Sequence, residues 1–186
     1  TLPDSVTTIS SNAFTGSLEL TNVTFGAGLT NIGAFAFSGC WGLTNQTIPN
    51  GVVSIGDYAF SNCKGLQGIS IPGSVILVGN GSFSSCPGLT NLTFGYGVRI
   101  IGTSAFSGCS GLKTVFMPNS ITNISDGAFA QCSGLTNVDM SISLVSIGQQ
   151  AFYKCSGLPK VVIPDSVISL GDHAFDSCYS LTNVAV

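Results

Sequence analysis

Seven cysteines, one histidine and a recurring asparagine are the side chains of this 186-residue chain best equipped to make a site. The cysteines stand at Cys40, Cys63, Cys86, Cys109, Cys132, Cys155 and Cys178, a constant step of 23. Thiols at equal spacing raise three chemistries: disulfides, a metal centre, or a ladder of free thiols. If the spacing reflects stacked copies, neighbouring side chains run parallel, leaving Cβ atoms nearer ~5 Å than the ~3.8 Å of a disulfide. A metal needs ligands converging on a point, and a ladder spreads them along a line. Free buried cysteine, a small hydrophobe with a weak S–H donor, is the favoured reading. His173 has Asp172 and Asp176 beside it. No nucleophile accompanies them at a defined spacing, so His173 reads as a surface histidine. The sequence assigns no catalytic residue, metal ligand or cofactor, and the chain is read as a non-enzyme.

Asn22, Asn45, Asn91, Asn137 and Asn183 fall in one column of the same step. Identical amides stacked in register can bond to one another as a ladder, or they can face a ligand; the two readings are compatible. With Thr24, Thr47, Thr93, Phe116 and Asp139 two residues further along, they form a candidate binding face. Five N-x-S/T sequons occur, at Asn22, Asn45, Asn80, Asn91 and Asn123. Asn22 and Asn45 would lie one strand spacing apart, too close for two glycans. Asn80 and Asn123, expected outside the strands, are the candidate glycosylation sites.

What positions these columns is an internal repeat. Phe recurs at 14, 37, 60, 83, 106, 129, 152 and 175, and Leu at 20, 43, 66, 89, 112, 135, 158 and 181. Eight copies of 23 residues fill the chain. From Leu66 one copy reads L-x-x-I-x-I-P-x-S-V-x-x-V-G-x-x-S-F-x-x-C. Its first six residues have the spacing of a leucine-rich repeat strand, with Ile69 and Ile71 inward and Gly68 and Ser70 outward. Pro72 ends the strand, and Gly79 is expected to permit a sharp corner. The Asp57–Cys63 segment reads as a short helical turn with Asp57 as its N-cap.

Charged residues are 7% of the chain and the net charge is −3, against nucleic acid, which needs clustered Lys and Arg. Mean hydropathy is +0.50, yet no run approaches the ~18 apolar residues of a spanning helix. No insertion into a membrane by this chain is therefore expected. No charged-then-apolar leader is read at the first residues. A stacked core explains the hydropathy, because no coil can bury its apolar face alone.

The columns closely resemble the BspA-like, or Treponema pallidum-type, leucine-rich repeat, nearly complete in the segment Lys160–Cys178. The resemblance implies an α/β solenoid of eight coils in one domain over 1–186. Parallel strands are expected on one face and short helical turns on the other. It further implies a cell-surface or secreted protein, with a non-catalytic role in recognition of, or adhesion to, a host or matrix protein. Departures are Ser17 for Cys, Ser141 for Pro, Ile142 at a polar turn position, and Gln46 at an inward one. Gln46 must find a buried partner or distort its strand.

Exposed apolar residues supply a second set of candidate contacts. Phe35 and Tyr58 share a column and should stack on adjacent coils, and Trp41 shares another with Leu18. Ile76, Leu77, Tyr96 and Ile100 occupy normally polar positions. The sequence begins and ends at one phase of the repeat, so both ends read as uncapped. Leu2, Val6, Ile9, Phe14, Leu181, Val184 and Val186 are then candidates for end-to-end contact. Either the chain is part of a longer array, or copies stack head to tail into extracellular filaments, which is the alternative function.

Overall fold

Each 23-residue copy contributes two short runs of alternating inward and outward side chains, and all of these runs but that at residues 22–24 become strands. The computed structural model describes residues 1–185. The chain winds as a parallel β-solenoid in which every strand pairs with its equivalent one repeat away, as in Thr8↔Asn31 and Ile69↔Leu92.

The continuous sheet is not built by the leucine-rich strands. It is an eight-stranded parallel sheet of Thr8–Ile9, Asn31–Ile32, Ser54–Ile55, Leu77–Val78, Ile100–Ile101, Asn123–Ile124, Ser146–Ile147 and Ser169–Leu170. In six of the eight coils these are the residues just before a glycine, with Ser10 and Ser125 in that column in the other two. Gly79 does not turn a corner with a positive φ; it lets two coils meet, since a Cβ there would lie 2.4 Å from the Ile55 carbonyl oxygen.

The leucine-rich strands form a second, front face in three hydrogen-bonded groups. These are Asn45–Thr47 with Gly68–Ile71 and Asn91–Phe94; Thr114–Phe116 with Asn137–Asp139; and Lys160–Val162 with Asn183–Ala185. Two of the interruptions have a residue behind them. At the equivalent point of most other coils a backbone N–H donates to the preceding coil, as Thr90 does to Gln67 (2.9 Å) and Thr136 to Lys113 (2.9 Å). Coil seven has Pro159 there, which carries no N–H, and the ladder is open between Asn137–Asp139 and Lys160–Val162. In coil two Gln46 is buried, and its Oε1 accepts the Val23 N–H at 3.4 Å while its Nε2 donates to Asn22 Oδ1 at 3.5 Å. Gln46 thus finds its partners and its own strand, Asn45–Thr47, forms undistorted; it is residues 22–24 of the preceding coil that form no strand.

The expected helical turns are absent among the described residues. The arc around each core Phe holds two residues in the left-handed region, for example Tyr58 (φ 56) and Asn62 (φ 56), which a right-handed helix cannot contain. Its N–H groups alternate instead between local turns and the next coil. Ser38 donates to Phe35 O (3.1 Å), but Phe37 donates to Ala59 O (2.7 Å) and Gly39 to Ser61 O (2.8 Å). Asp57 is accordingly no helix N-cap. Its Oδ1 accepts the N–H of Asn80, one coil on, at 2.8 Å. Asn80 Oδ1 does the same for Thr103 (2.9 Å), and Asp126 Oδ1 for Gln149 (2.8 Å). Such side-chain acceptors tie the exposed start of each arc to the coil before it.

The core is a set of columns. The rings of Phe14, Phe37, Phe60, Phe83, Phe106, Phe129, Phe152 and Phe175 form one unbroken stack with centroids 5.0–5.4 Å apart. Phe25 and Phe94 meet it edge-on at 5.8 Å.

Candidate binding surface

The front strands present alternate side chains outward because their inward partners, such as Val115 and Val138, are committed to the core. Asn22, Thr24, Asn45, Thr47, Asn91, Thr93, Phe116, Asn137 and Asp139 are all exposed, as is Asn183. The amide ladder does not form. Apart from Asn22, which receives the bond from Gln46, none of these asparagines has a side-chain hydrogen bond among the described residues. Gly68 and Thr114 interrupt the column, so most amides have no like neighbour one coil away. Their donors and acceptors face solvent.

Phe116 is 59% exposed and pairs in register with Asp139. Beyond Asp139, across the open ladder, lie Val162 and Lys160, and these line a groove with Asn137, Ile142 and Pro164. Val162 and Lys160 were not singled out from the sequence, although Val162 stands in the same 23-residue column as Phe116. Ile142 was visible only as a departure from the repeat.

The other apolar candidates separate into three places. Phe35 and Tyr58 stack at 5.0 Å as expected. The Tyr58 ring then lies over Gly81, where any Cβ would meet it at 2.4 Å. Trp41 is exposed but occupied, with Lys64 Nζ 3.7 Å above its ring, a cation–π contact between consecutive coils. Leu77 and Ile100 are adjacent in the long sheet; Ile100 is half-buried, whereas Ile76 and Tyr96 are exposed. The same column as Ile76 also holds exposed Val53, Val145 and Ile168.

Among the end residues, Leu2, Val6, Phe14 and Leu181 are half-buried against the core, and Val184 is 55% exposed. Ile9 is only 4% exposed, because inward side chains of a coil cover one another, and it is removed from the contact set. Val186 lies outside the described residues. Asn80 is exposed and outside the strands, with its amide oxygen engaged by Thr103. Asn123 does not lie outside the strands: it is half-buried within Asn123–Ile124, one of the strands of the long sheet.

The cysteines are a ladder of free thiols. Each S–H donates to the carbonyl oxygen of the core Phe one coil earlier, from Cys40 to Phe14 at 3.0 Å through Cys178 to Phe152 at 3.2 Å. Burial disfavours the thiolate, pushing Cys40 up to about 11 and Cys132 to about 12. His173 is exposed, with Nδ1 3.4 Å from Asp176 Oδ2.

No helix among the described residues is long and apolar enough to cross a membrane. Among curated proteins, none matches the chain. Several solved structures are similar. A leucine-rich repeat protein from Bacteroides ovatus is 31% identical with a TM-score of 0.91, over 100% of this chain and 48% of its own. A leucine-rich repeat protein of T. pallidum is 30% identical with a TM-score of 0.75, over 95% of this chain and 72% of its own. A leucine-rich cell surface protein from Faecalibacterium prausnitzii is 31% identical with a TM-score of 0.56, over 100% of this chain and 52% of its own. The chain thus spans about half the length of the Bacteroides ovatus and Faecalibacterium prausnitzii proteins. The BspA type leucine-rich repeat region matches over residues 1–113 and 76–186, in six copies. With its columns, register and core accounted for coil by coil, this chain belongs to the BspA-type leucine-rich repeat family.

Proposed function

We propose that the chain is a non-catalytic recognition module of a cell-surface or secreted protein, and that it adheres to a host or matrix protein through its front face. The observation that carries this reading is the pairing of unsatisfied amides with an exposed aromatic on one regular surface. Asn45, Asn91 and Asn137 have no internal partner, and Phe116 stands among them. Solenoids recognise partners with such extended faces, and aromatic side chains are enriched in interfaces. The Faecalibacterium prausnitzii relative, described as a cell surface protein, supports the location.

The test is binding of the purified chain to immobilised extracellular-matrix proteins. Phe116→Ala should weaken binding by about thirtyfold, the ~2 kcal/mol of a hot-spot residue. The triple variant Asn45→Ala, Asn91→Ala, Asn137→Ala should also weaken it, with the urea midpoint unchanged. Full binding by both folded variants would overturn this assignment of the surface.

A further inference from the structure

We propose that Asn50 is a site of spontaneous covalent modification, converting through a cyclic imide to aspartate and isoaspartate while the protein is folded. The sequence contains two Asn-Gly pairs, Asn50-Gly51 and Asn80-Gly81. This dipeptide is the one in which a backbone nitrogen most easily reaches the preceding side chain, since glycine has no Cβ to obstruct the approach. Hydroxide removes the Gly51 amide proton and the nitrogen attacks Asn50 Cγ. An N–C bond forms, the Cγ–Nδ2 bond breaks, and ammonia leaves. Water then opens the ring at either carbonyl. No oxidant, metal or enzyme enters.

The fold treats the two pairs oppositely. At Asn80-Gly81 every reacting group is engaged by a neighbouring coil. Asn80 Oδ1 accepts the Thr103 N–H at 2.9 Å, the Asn80 N–H donates to Asp57 Oδ1 at 2.8 Å, and its carbonyl accepts from Tyr58 at 2.8 Å. The attacking nitrogen is held too, because the Gly81 N–H donates to Thr103 O at 2.8 Å and Gly81 is buried.

Asn50-Gly51 forms the two central residues of a turn closed by the Val52 N–H on Pro49 O at 3.0 Å. Both residues are exposed. Among the described residues neither the Asn50 side chain nor the Gly51 N–H has a hydrogen-bond partner, so no hydrogen bond of either reacting group has to break for their approach.

The aspartate product also suits its position. Asp4 occupies the same column as Asn50, two coils earlier, and its Oδ1 accepts the N–H of Ala27 one coil on at 2.7 Å. The residue one coil on from Asn50 is Gly73, whose N–H has no hydrogen-bond partner among the described residues. Conversion to aspartate would give coil three the charged carboxylate acceptor that coil one already has, in place of the weaker amide oxygen.

The experiment is peptide mapping by mass spectrometry of the whole chain, held folded at mildly alkaline pH, with aspartate and isoaspartate resolved at both sites. Asn50 should convert at least about tenfold faster than Asn80, which reacts only from locally opened states. In urea the two rates should converge. Equal rates in the folded protein, faster loss of Asn80, or an unmodified Asn50 would each overturn the proposal. Gly51→Ala should slow conversion at Asn50 and leave Asn80 unchanged. Asn50→Asp should melt no lower than the parent, and a lower midpoint would refute the accommodating hydrogen bond.

Discussion

Phe106→Ala removes a ring from the middle of the aromatic column. Phe106 is fully buried, stacked on Phe83 and on Phe129 at 5.4 Å each, and met edge-on by Phe94 at 5.8 Å. Truncating a buried Phe costs about 3–5 kcal/mol in lost transfer and cavity terms. Aromatic pairs add about 0.5–1.5 kcal/mol beyond area, so three lost pairs place Phe106 toward the upper end. Phe175 has one stacking partner, Phe152 at 5.2 Å, and is half-buried. Its truncation should cost roughly half as much, since both the cavity and the pair count shrink. Urea unfolding followed by far-ultraviolet circular dichroism is the assay. With m near 3 kcal/mol/M, Phe106→Ala should lower the midpoint by more than about 1 M. Lys113→Ala, on an exposed side chain, should leave it in place. Equal midpoints for the Phe106 and Phe175 variants would refute the stack as the source of stability, and a Phe106 loss below about 1 kcal/mol would refute the cavity estimate.

Four further outcomes follow from the same geometry. Thiol reagents should label the native protein slowly and reach seven groups per chain only after denaturation, as counted spectrophotometrically. Because Cys40 and Cys132 are raised from 9.0 to about 11 and about 12, the unfolded chain releases protons that the folded chain keeps. Stability should therefore be intact below pH 9 and fall as pH rises from 9 toward 12, which thermal melts across that range can follow. Gly79→Ala should prevent native stacking of its coil, because the new methyl would strike the Ile55 backbone; a native-like melt would contradict this. Gln46→Ile should raise stability by about 1 kcal/mol by removing a buried amide with two long hydrogen bonds, and a lower urea midpoint would count against it.

The sequence made the architecture legible wherever one residue type had one task. Phe, Cys and Leu columns mapped directly onto core columns, since a repeat of constant length forces each column to stack on itself. The arc around Phe60 was misread because its composition suits a helical turn, while its conformation is set by bonds to the next coil. Those bonds are non-local, and no window of sequence contains both partners. The same blindness affected Asn123 and Gly79: the strand and close approach at the glycine exist only because another coil lies alongside. On the front face, Phe116 and the asparagines were legible from alternation. The groove beside them was not, because it depends on the missing Pro159 N–H, a subtraction from a ladder rather than a motif.

The pattern of bonds between coils also has a mechanical meaning. Phe60 donates through its backbone to Ser82 in the next coil, while Cys63 donates through sulfur to Phe37 in the previous one. Each coil is thus fastened to both neighbours along the same edge as the aromatic column. Tension applied to the two chain ends would load these fastenings in series and release them one coil at a time from the ends. Each release would free 23 residues of contour, about 76–83 Å of extended chain, against a loss of about 5 Å of stack. The solenoid is then a spool that pays out length in uniform steps, its unreleased coils still presenting their outward side chains in register.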